Sequence, residues 1–172
     1  MLIESTGPAL DRALFSAAAA TADRPAGLLN GTPPIPTTGN LTNDLIMLLA
    51  AIAPVSGNGQ IAIVASPDRA AAINLLPRAL PYPILTSASL PSATVIAVAL
   101  NALVSAVEGA PRIEAAAQAA VHAETVPATD IGSGAVNPVR SLFQTDTAAL
   151  RLVWGLSWAL RDARAVAWIQ GP

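Results

Sequence analysis

The chain has 172 residues and a mass of 17.4 kDa, the size of one domain or of two small domains that share a core. Hydrophobic residues make up 53% and charged residues only 12%, which argues against a disordered tail, and a net charge of -2 without any lysine disfavours a nucleic-acid binder. The lack of cysteine excludes disulfides and thiolate chemistry, and the single histidine, His122, leaves little for a metal site or a Ser-His-Asp triad.

The first element is a helix that leads into a turn-rich segment. The spacing of apolar residues predicts a helix over residues 8–20, and its alanines are strong helix formers. Prolines and glycines crowd residues 21–39 and forbid regular structure there. We therefore expect a linker, or a loop that lies on the surface of other elements.

A second helix follows this segment. Asn40 or Thr42 can cap it, Asp44 suits the positive end of its dipole, and Pro54 ends it. Its apolar residues repeat at helical spacing and form one stripe. The stripe consists of Leu41, Leu45, Leu48, Leu49 and Ile52.

The central part of the chain predicts buried strands alternating with helices. Residues 60–65 form a short apolar run between turn signals, which is typical of a buried strand. Ser66 then caps a helix with Pro67 at its first position. A short strand over residues 83–85 and a buried strand over 93–100 follow. Residues 41–100 thus predict a small α/β sandwich.

The last third predicts antiparallel strands. Short strands cover residues 112–116 and 120–124, and a loop covers 126–137. Strict apolar–polar alternation over residues 150–161 predicts a long strand with one buried face, and residues 165–169 return as its hairpin partner. This hairpin carries all three tryptophans, which favour a core or interface over a sugar-stacking platform. The candidate interface or core residues are Trp154, Trp158, Trp168, Leu152 and Leu156.

The residues that could carry chemistry have simpler explanations. Ser66 lies at a strand-to-helix junction, as a hydrolase nucleophile does, but the Gly-x-Ser-x-Gly frame is absent and a helix cap explains it. Residues 57–59 (Gly-Asn-Gly) precede a strand, so they predict a tight turn and not a phosphate loop. Residues 132–134 (Gly-Ser-Gly) have no neighbouring lysine, which indicates a flexible loop.

Three polar residues near the predicted C-terminal strands could in principle bind a divalent metal. His122 and Glu124 would share one strand face, and Glu114 lies eight positions before His122. The spacing is not specific, so a solvated polar face is favoured. We expect no metal, no cofactor and no catalytic residue.

The hydropathy does not predict a membrane span. Mean hydropathy is +0.53, and no residue between Arg78 and Glu108 is charged, but prolines interrupt the first half of this stretch. The remainder, residues 92–107, would reach about 24 Å as a helix, short of the roughly 30 Å hydrocarbon core. The N-terminus has no basic region and no sustained apolar run, so we expect no secretory signal and a cytoplasmic protein.

Several segments resemble major capsid proteins of tailed phages and prophages with the Hong Kong 97 fold. Residues 141–169 resemble the end of such proteins, with a Gln-Thr-Asp step, an alternating strand, a Trp-Ala-hydrophobic-Arg turn and a closing Val-Ala-Trp strand. Residues 9–30 look like the end of the long spine helix and the Pro-x-Gly turn after it. Residues 61–68 and 94–98 are similar to strands of the axial domain, and all these segments follow the family's order.

The resemblance implies an α+β fold and a structural role. It implies an axial-type α/β domain over residues 41–110, and a peripheral-type domain made of 1–40, with the spine-helix end, and of 111–172, with long antiparallel strands. Family subunits form pentamers and hexamers and then shells, without catalysis or cofactor. The chain would therefore be a homo-oligomeric subunit, located in the virion or in the bacterial cytoplasm when expressed. It would bind no membrane, small-molecule substrate or specific nucleic-acid sequence.

The sequence also departs from the family. The N-terminal arm, the extended hairpin loop and most of the spine helix are missing, so the resemblance implies a truncated, C-terminal half of a subunit. Some members cross-link their shells through lysine and asparagine, and a chain without lysine cannot supply the lysine. The predicted hairpin would expose apolar area, which should drive self-association. The alternatives are a small α/β hydrolase-like enzyme that uses Ser66 and the shell protein of a host-encoded nanocompartment.

Overall fold

The computed structural model describes residues 2–77, 79–116, 120–122, 139–141 and 149–171. It forms two compact units, which are described separately. The core unit comprises Ile3–Val107 and Leu156–Pro172, and the ribbon unit comprises Glu108–Gly155.

The described residues form helices and strands in a mixed α and β arrangement, as the sequence predicts. The helices are α1 (Leu2–Leu14), α2 (Leu41–Ile52) and α3 (Pro67–Asn74). The strands are β1 (Ile61–Ala65), β2 (Ile84–Thr86), β3 (Thr94–Ala99), β4 (Leu103–Val107), β5 (Arg112–Ala116), β6 (Ala120–His122), β7 (Val139–Ser141), β8 (Ala149–Val153), β9 (Leu156–Leu160) and β10 (Val166–Gln170). None of the described helices is long and apolar enough to cross a bilayer.

A four-stranded mixed sheet in the order β10-β3-β1-β2 is the centre of the core unit. Strands β1 and β2 are parallel, whereas β3 is antiparallel to both β1 and β10. Every residue of β1 and β3 is buried, because both faces of the sheet are covered. The two strands are therefore continuous apolar runs without alternation, which confirms the predicted buried strands.

Different elements cover the two faces of this sheet. Helices α2 and α3 cover one face, where the apolar stripe of α2 packs on β1, β3 and β10. Asn40 caps α2 as predicted, since its Oδ1 accepts hydrogen bonds from the backbone N–H groups of Thr42 and Asn43. The other face is covered by residues from the turn-rich segment and by aromatic side chains. These are Leu28, Leu29, Leu90, Phe15, Trp158 and Trp168.

The first helix differs from the prediction over residues 8–20. It runs from Leu2 to Leu14 and contains Pro8, and the alanine-rich residues after it are not helical. Their carbonyls are used elsewhere: the amides of Gly27, Leu28 and Leu29 donate to Ala18, Leu14 and Ser16. Tertiary backbone bonds thus override the helix propensity of alanine.

The predicted C-terminal hairpin is wrong. The alternating segment breaks at residues 154–155 into β8 and β9, and neither strand pairs with β10. Strand β8 pairs with β5, β9 pairs with β4, and β10 joins the four-stranded sheet beside β3. Alternation reports which face of a strand is buried but says nothing about its partner, so it could not separate these pairings.

The ribbon unit contains two antiparallel strand pairs, β5–β8 and β6–β7. Strand β5 matches its prediction, and β6 covers the first part of the predicted strand 120–124. Strands β4 and β7 were not predicted. The predicted loop 126–137 lies outside the described residues.

Candidate assembly surface

Two of the three tryptophans hold the core unit together. Trp158 on β9 and Trp168 on β10 are half-buried and pack against the same apolar cluster on the sheet. The Trp158 Nε1–H donates to the carbonyl of Ala26 at 2.8 Å, and the Trp168 Nε1–H donates to that of Thr32 at 2.8 Å. With rings packed inward and N–H groups bonded to backbone, neither indole offers a free platform for a sugar.

Both indoles fasten one segment, residues 26–38, which we call the strap. This strap is the middle of the turn-rich region that was expected to lie on other elements, and it does so. The amide of Ile35 donates to the carbonyl of Trp168 at 2.8 Å, so the strap also covers the outer edge of β10. At its start, Gly27 is buried against Ser16, and a Cβ at this position would overlap the Ser16 carbonyl. Glycine is therefore required for this close approach.

A buried carboxylate anchors the other end of the strap. Asp44 on α2 accepts hydrogen bonds from the Thr37 hydroxyl at 2.6 Å and from the backbone and hydroxyl of Thr38, both at 2.7 Å. Burial alone would raise the pKa of Asp44, but these hydrogen bonds and the positive charge of Arg69 outweigh it and lower the pKa below its ordinary value. From its position in the sequence, Asp44 was predicted only to suit the positive end of the helix dipole. The two threonines just before the cap residue were the signal for this bond.

The third tryptophan belongs to the ribbon unit and is exposed. Trp154 keeps 38% of its surface accessible, and its Nε1–H donates to the carbonyl of Gly109 at 3.0 Å. This bond fixes the ring without burying it. The segment 150–161, predicted as one strand with one buried face, is thus divided between two units, with Trp154 in one and Trp158 in the other.

Strands β5 and β8 of the ribbon unit form an amphipathic pair. Ile113 is paired with Leu152, and because side chains alternate, Leu150 lies on the same face. Ile113 is 58% exposed and Leu150 is 57% exposed, while Leu152 is half-buried. This apolar face has no cover among the described residues of its own unit.

The opposite, polar face of this pair carries one glutamate and two arginines, together with Val153. Glu114 binds Arg112 at 3.0 Å and lies 3.8 Å from Arg151, which is its directly paired residue on β8. All three side chains are largely exposed, so the ion pairs are solvent-screened. The two faces thus differ in polarity, and the apolar side chains Ile113 and Leu150 are exposed.

The core unit also exposes apolar side chains. Val104 and Val107 on β4 are about half exposed, and Leu156 on β9, opposite Val107, is half-buried. Ile46 is 60% exposed because it lies off the α2 stripe. It lines an apolar groove of about 520 Å³ between α2 and Leu76–Pro81.

The structure gives no support to a serine nucleophile. Ser66 occupies the predicted N-cap position of α3, but its hydroxyl does not cap the helix. The hydroxyl donates to the carbonyl of Thr94 and accepts from its amide, both at 3.2 Å, and Ser66 is completely buried. Pro67 follows at the first helical position as predicted, where a helix needs no N–H group. No substrate can reach a side chain in this position.

The other residues that were candidates for chemistry also form no reactive site where the structure describes them. Residues 57–59 form the predicted turn, with both glycines at positive φ, 54° and 76°. Glu114 forms ion pairs with Arg112 and Arg151. The side chain of His122, all of Glu124 and residues 132–134 lie outside the part of the chain that the structure describes. Among the described side chains, no three histidine, aspartate or glutamate residues come together as a metal site.

The sequence matches no protein-family model and no curated protein. Several solved structures resemble the chain in the arrangement of their backbones. A protein of Gordonia phage Cozz matches with a TM-score of 0.59 at 12% identity, over 98% of this chain and 60% of that chain. The capsid of an empty GTA particle matches with a TM-score of 0.58 at 14% identity, over 98% and 63%. The phage G assembly of gp27 major capsid and gp26 decoration proteins matches with a TM-score of 0.54 at 12% identity, over 94% and 59%.

The chain has a Hong Kong 97-like phage capsid fold. This confirms the resemblance seen in the sequence. The capsid fold extends over almost the whole of this chain, whereas the chain spans only about 60% of the length of the solved chains that it matches. At 12 to 14% identity, the likeness is one of backbone arrangement.

Proposed function

We propose that the chain is a structural subunit of a phage or prophage capsid-type shell, which acts by self-assembly and without catalysis. The observation that carries this proposal is the capsid fold itself, present over 98% of the chain in two comparisons. In this proposal the chain corresponds to the C-terminal half of a longer capsid subunit and is located in the virion. Residues 41–110 act as the axial-type domain, and 1–40 with 111–172 act as the peripheral-type domain.

The distribution of apolar surface supports self-association. The ribbon unit presents Ile113 and Leu150 on an uncovered face, and the core unit presents Ile46 beside an apolar groove. Contiguous exposed apolar area of this kind marks interaction sites, because water contact with it is unfavourable. In a shell of identical subunits the partner is another copy, so the same surfaces are available on every molecule.

The proposal is tested with the purified chain by sedimentation velocity and electron microscopy. We expect oligomers that dissociate on dilution, and ring-like or shell-like particles at high concentration. A double variant, Ile113→Ser with Leu150→Ser, should shift association to higher concentration, whereas Ser105→Ala on the other unit should not. A single monomeric species up to tens of micromolar would contradict self-assembly.

If the chain were a hydrolase that uses Ser66, it should instead turn over an ester substrate. Wild-type protein and Ser66→Ala should both fail to hydrolyse a panel of activated acyl esters, because Ser66 is sealed from solvent. Turnover that disappears in Ser66→Ala would replace the structural proposal with an enzymatic one. A host-encoded compartment shell shares the prediction of self-assembly and differs in its cargo.

A further inference from the structure

The strap contains a proline-rich run, residues 33–36, which we call the ridge. Residues 33–36 read Pro-Pro-Ile-Pro, and proline fixes its own φ while restricting the residue before it to extended conformations. These restrictions together favour the polyproline II helix, which has three residues per turn. Burial follows the same period: Thr32 and Ile35 face inward and are half-buried, whereas Pro33, Pro34 and Pro36 are exposed.

Bonds on both sides hold this ridge in place. The carbonyl of Thr32 accepts from the Trp168 indole, the amide of Ile35 donates to the Trp168 carbonyl, and Thr38 is bound to Asp44. The ridge is therefore ordered before any partner arrives. Polyproline II segments are recognised by aromatic side chains, which pack on the proline rings, and pre-ordering lowers the entropic cost of that contact.

The chain itself carries an aromatic group of the required kind. Of the five aromatic side chains that the structure describes, Trp154 alone is exposed. Its N–H is bonded to Gly109, so the ring is fixed and its remaining open surface is apolar. A fixed, exposed indole in one unit and a fixed, exposed proline ridge in the other are complementary in chemistry and in rigidity.

We propose that Trp154 of one copy packs on the proline ridge of a second copy, against Pro33, Pro34 and Pro36. This inference rests on the proposed function, since it names the partner and the contact through which copies associate. The contact is heterologous: each copy contributes one tryptophan and one ridge. Repeated head-to-tail contacts of this type close into rings when the rotation between copies allows it.

Complementation between two variants tests the contact. Trp154→Ala removes the indole, and Pro34→Glu places a charge on the ridge while Pro33 and Pro36 keep the backbone extended. Each variant alone should raise the concentration of half-association at least about tenfold, as loss of a central tryptophan anchor does. An equimolar mixture should regain dimers, because one intact tryptophan can meet one intact ridge. Trp154→Phe should retain more association than Trp154→Ala.

Controls separate this contact from folding and from other surfaces. Leu75→Ala removes the most exposed large apolar side chain, 84% accessible, and Pro91→Glu places a charge on another exposed proline. Both should associate as wild type does. Circular dichroism and hydrogen exchange at the Thr38 amide verify that each variant keeps its fold and its strap.

The outcomes distinguish the contact from the broader proposal. If wild type associates but Trp154→Ala and Pro34→Glu associate equally well, the contact is overturned and self-assembly stands. If each variant is impaired but the mixture is not restored, the two residues do not meet each other, and the contact is again overturned. If wild type is monomeric at every concentration, both the contact and the proposed function fail.

Discussion

The strands of the two units have similar lengths but opposite surroundings. All five residues of β1 are buried between helices on one side and the strap with its two indoles on the other. In β5, which also has five residues, four are exposed and one is half-buried. Strands β1 and β3 of the core unit thus bury all their apolar side chains within the unit, whereas β5 and β8 of the ribbon unit pair their backbones and leave apolar side chains exposed.

This difference shows which part of the molecule leaves its apolar residues uncovered. A two-stranded pair is marginal in water unless a third strand or another element covers its apolar face. The core unit has that cover in α2, α3 and the strap. In the proposed assembly, the ribbon unit would gain this cover from other copies. The same division explains the tryptophans, since Trp158 and Trp168 act within the molecule and Trp154 is left exposed.

The largest expected difference between the units comes from one matched substitution. Ile63→Ala in β1 should lower the free energy of unfolding by about 3 kcal/mol, because it opens a cavity in a fully packed core. Ile113→Ala in β5 should cost less than about 1 kcal/mol in dilute solution, because that side chain is already in water. Urea unfolding of both variants measures this. Equal losses would contradict the contrast between the units.

Substitution of the tryptophans should give a smaller difference in stability between the two units, again with the larger loss in the core unit. Trp158→Phe and Trp168→Phe each remove a hydrogen bond to a strap carbonyl, with an expected cost of about 1 to 2 kcal/mol and faster hydrogen exchange in residues 26–36. Trp154→Phe serves as the control, since the carbonyl of Gly109 in an exposed site can bond water instead. Strap exchange that is unchanged in the first two variants would show that the indoles do not fasten it.

The buried carboxylate predicts a pH dependence confined to the core unit. The pKa of Asp44 is lowered in the folded state from its ordinary value of 3.8, so its stabilising effect is complete above that pH and is lost as the pH falls through the folded-state pKa. Acidification below pH 3.8 should weaken the protein and accelerate exchange of the Thr38 amide. Asp44→Asn should lack this part of the acid response, whereas the exposed Asp23→Asn should retain it.

The smallest effect is expected on the polar face of the ribbon unit. Glu114→Gln breaks the ion pairs to Arg112 and Arg151, but all three groups are solvated, so the change in stability should stay below about 0.5 kcal/mol. Unfolding at low and at high salt checks this. A loss above 1 kcal/mol that salt does not reduce would mean that this face, too, is covered by protein.

Local sequence patterns predicted the elements whose signals are local. The α2 stripe with its Asn40 cap, the turn at residues 57–59, and the runs of β1 and β3 all lie where periodicity and turn residues place them. The capsid fold was recognised because several such segments occur in the order of the family. Each of these inferences needed only neighbours within a few positions along the chain.

Features set by distant contacts were missed. Residues 15–20 have the alanines of a helix, but the amides of Gly27 and Leu29, 9 and 13 positions away, bond the carbonyls of Ala18 and Ser16. The Ser66 hydroxyl bonds Thr94, 28 positions along the chain, in place of its own helix. Strand β9 pairs with β4 and not with β10, although only a polar turn separates β9 from β10 in the sequence. The sequence did not predict this, because backbone pairing between strands leaves no signal in the residue types.

Hydrogen exchange over a dilution series tests the central claim most directly, namely that the apolar face of the ribbon unit is covered by other copies. As concentration rises, amides of β5 and β8 should become protected in step with the sedimentation coefficient, while those of β1 and β3 should stay equally protected throughout. A ribbon unit whose exchange is independent of concentration, in a protein that sediments as a monomer, would contradict the account.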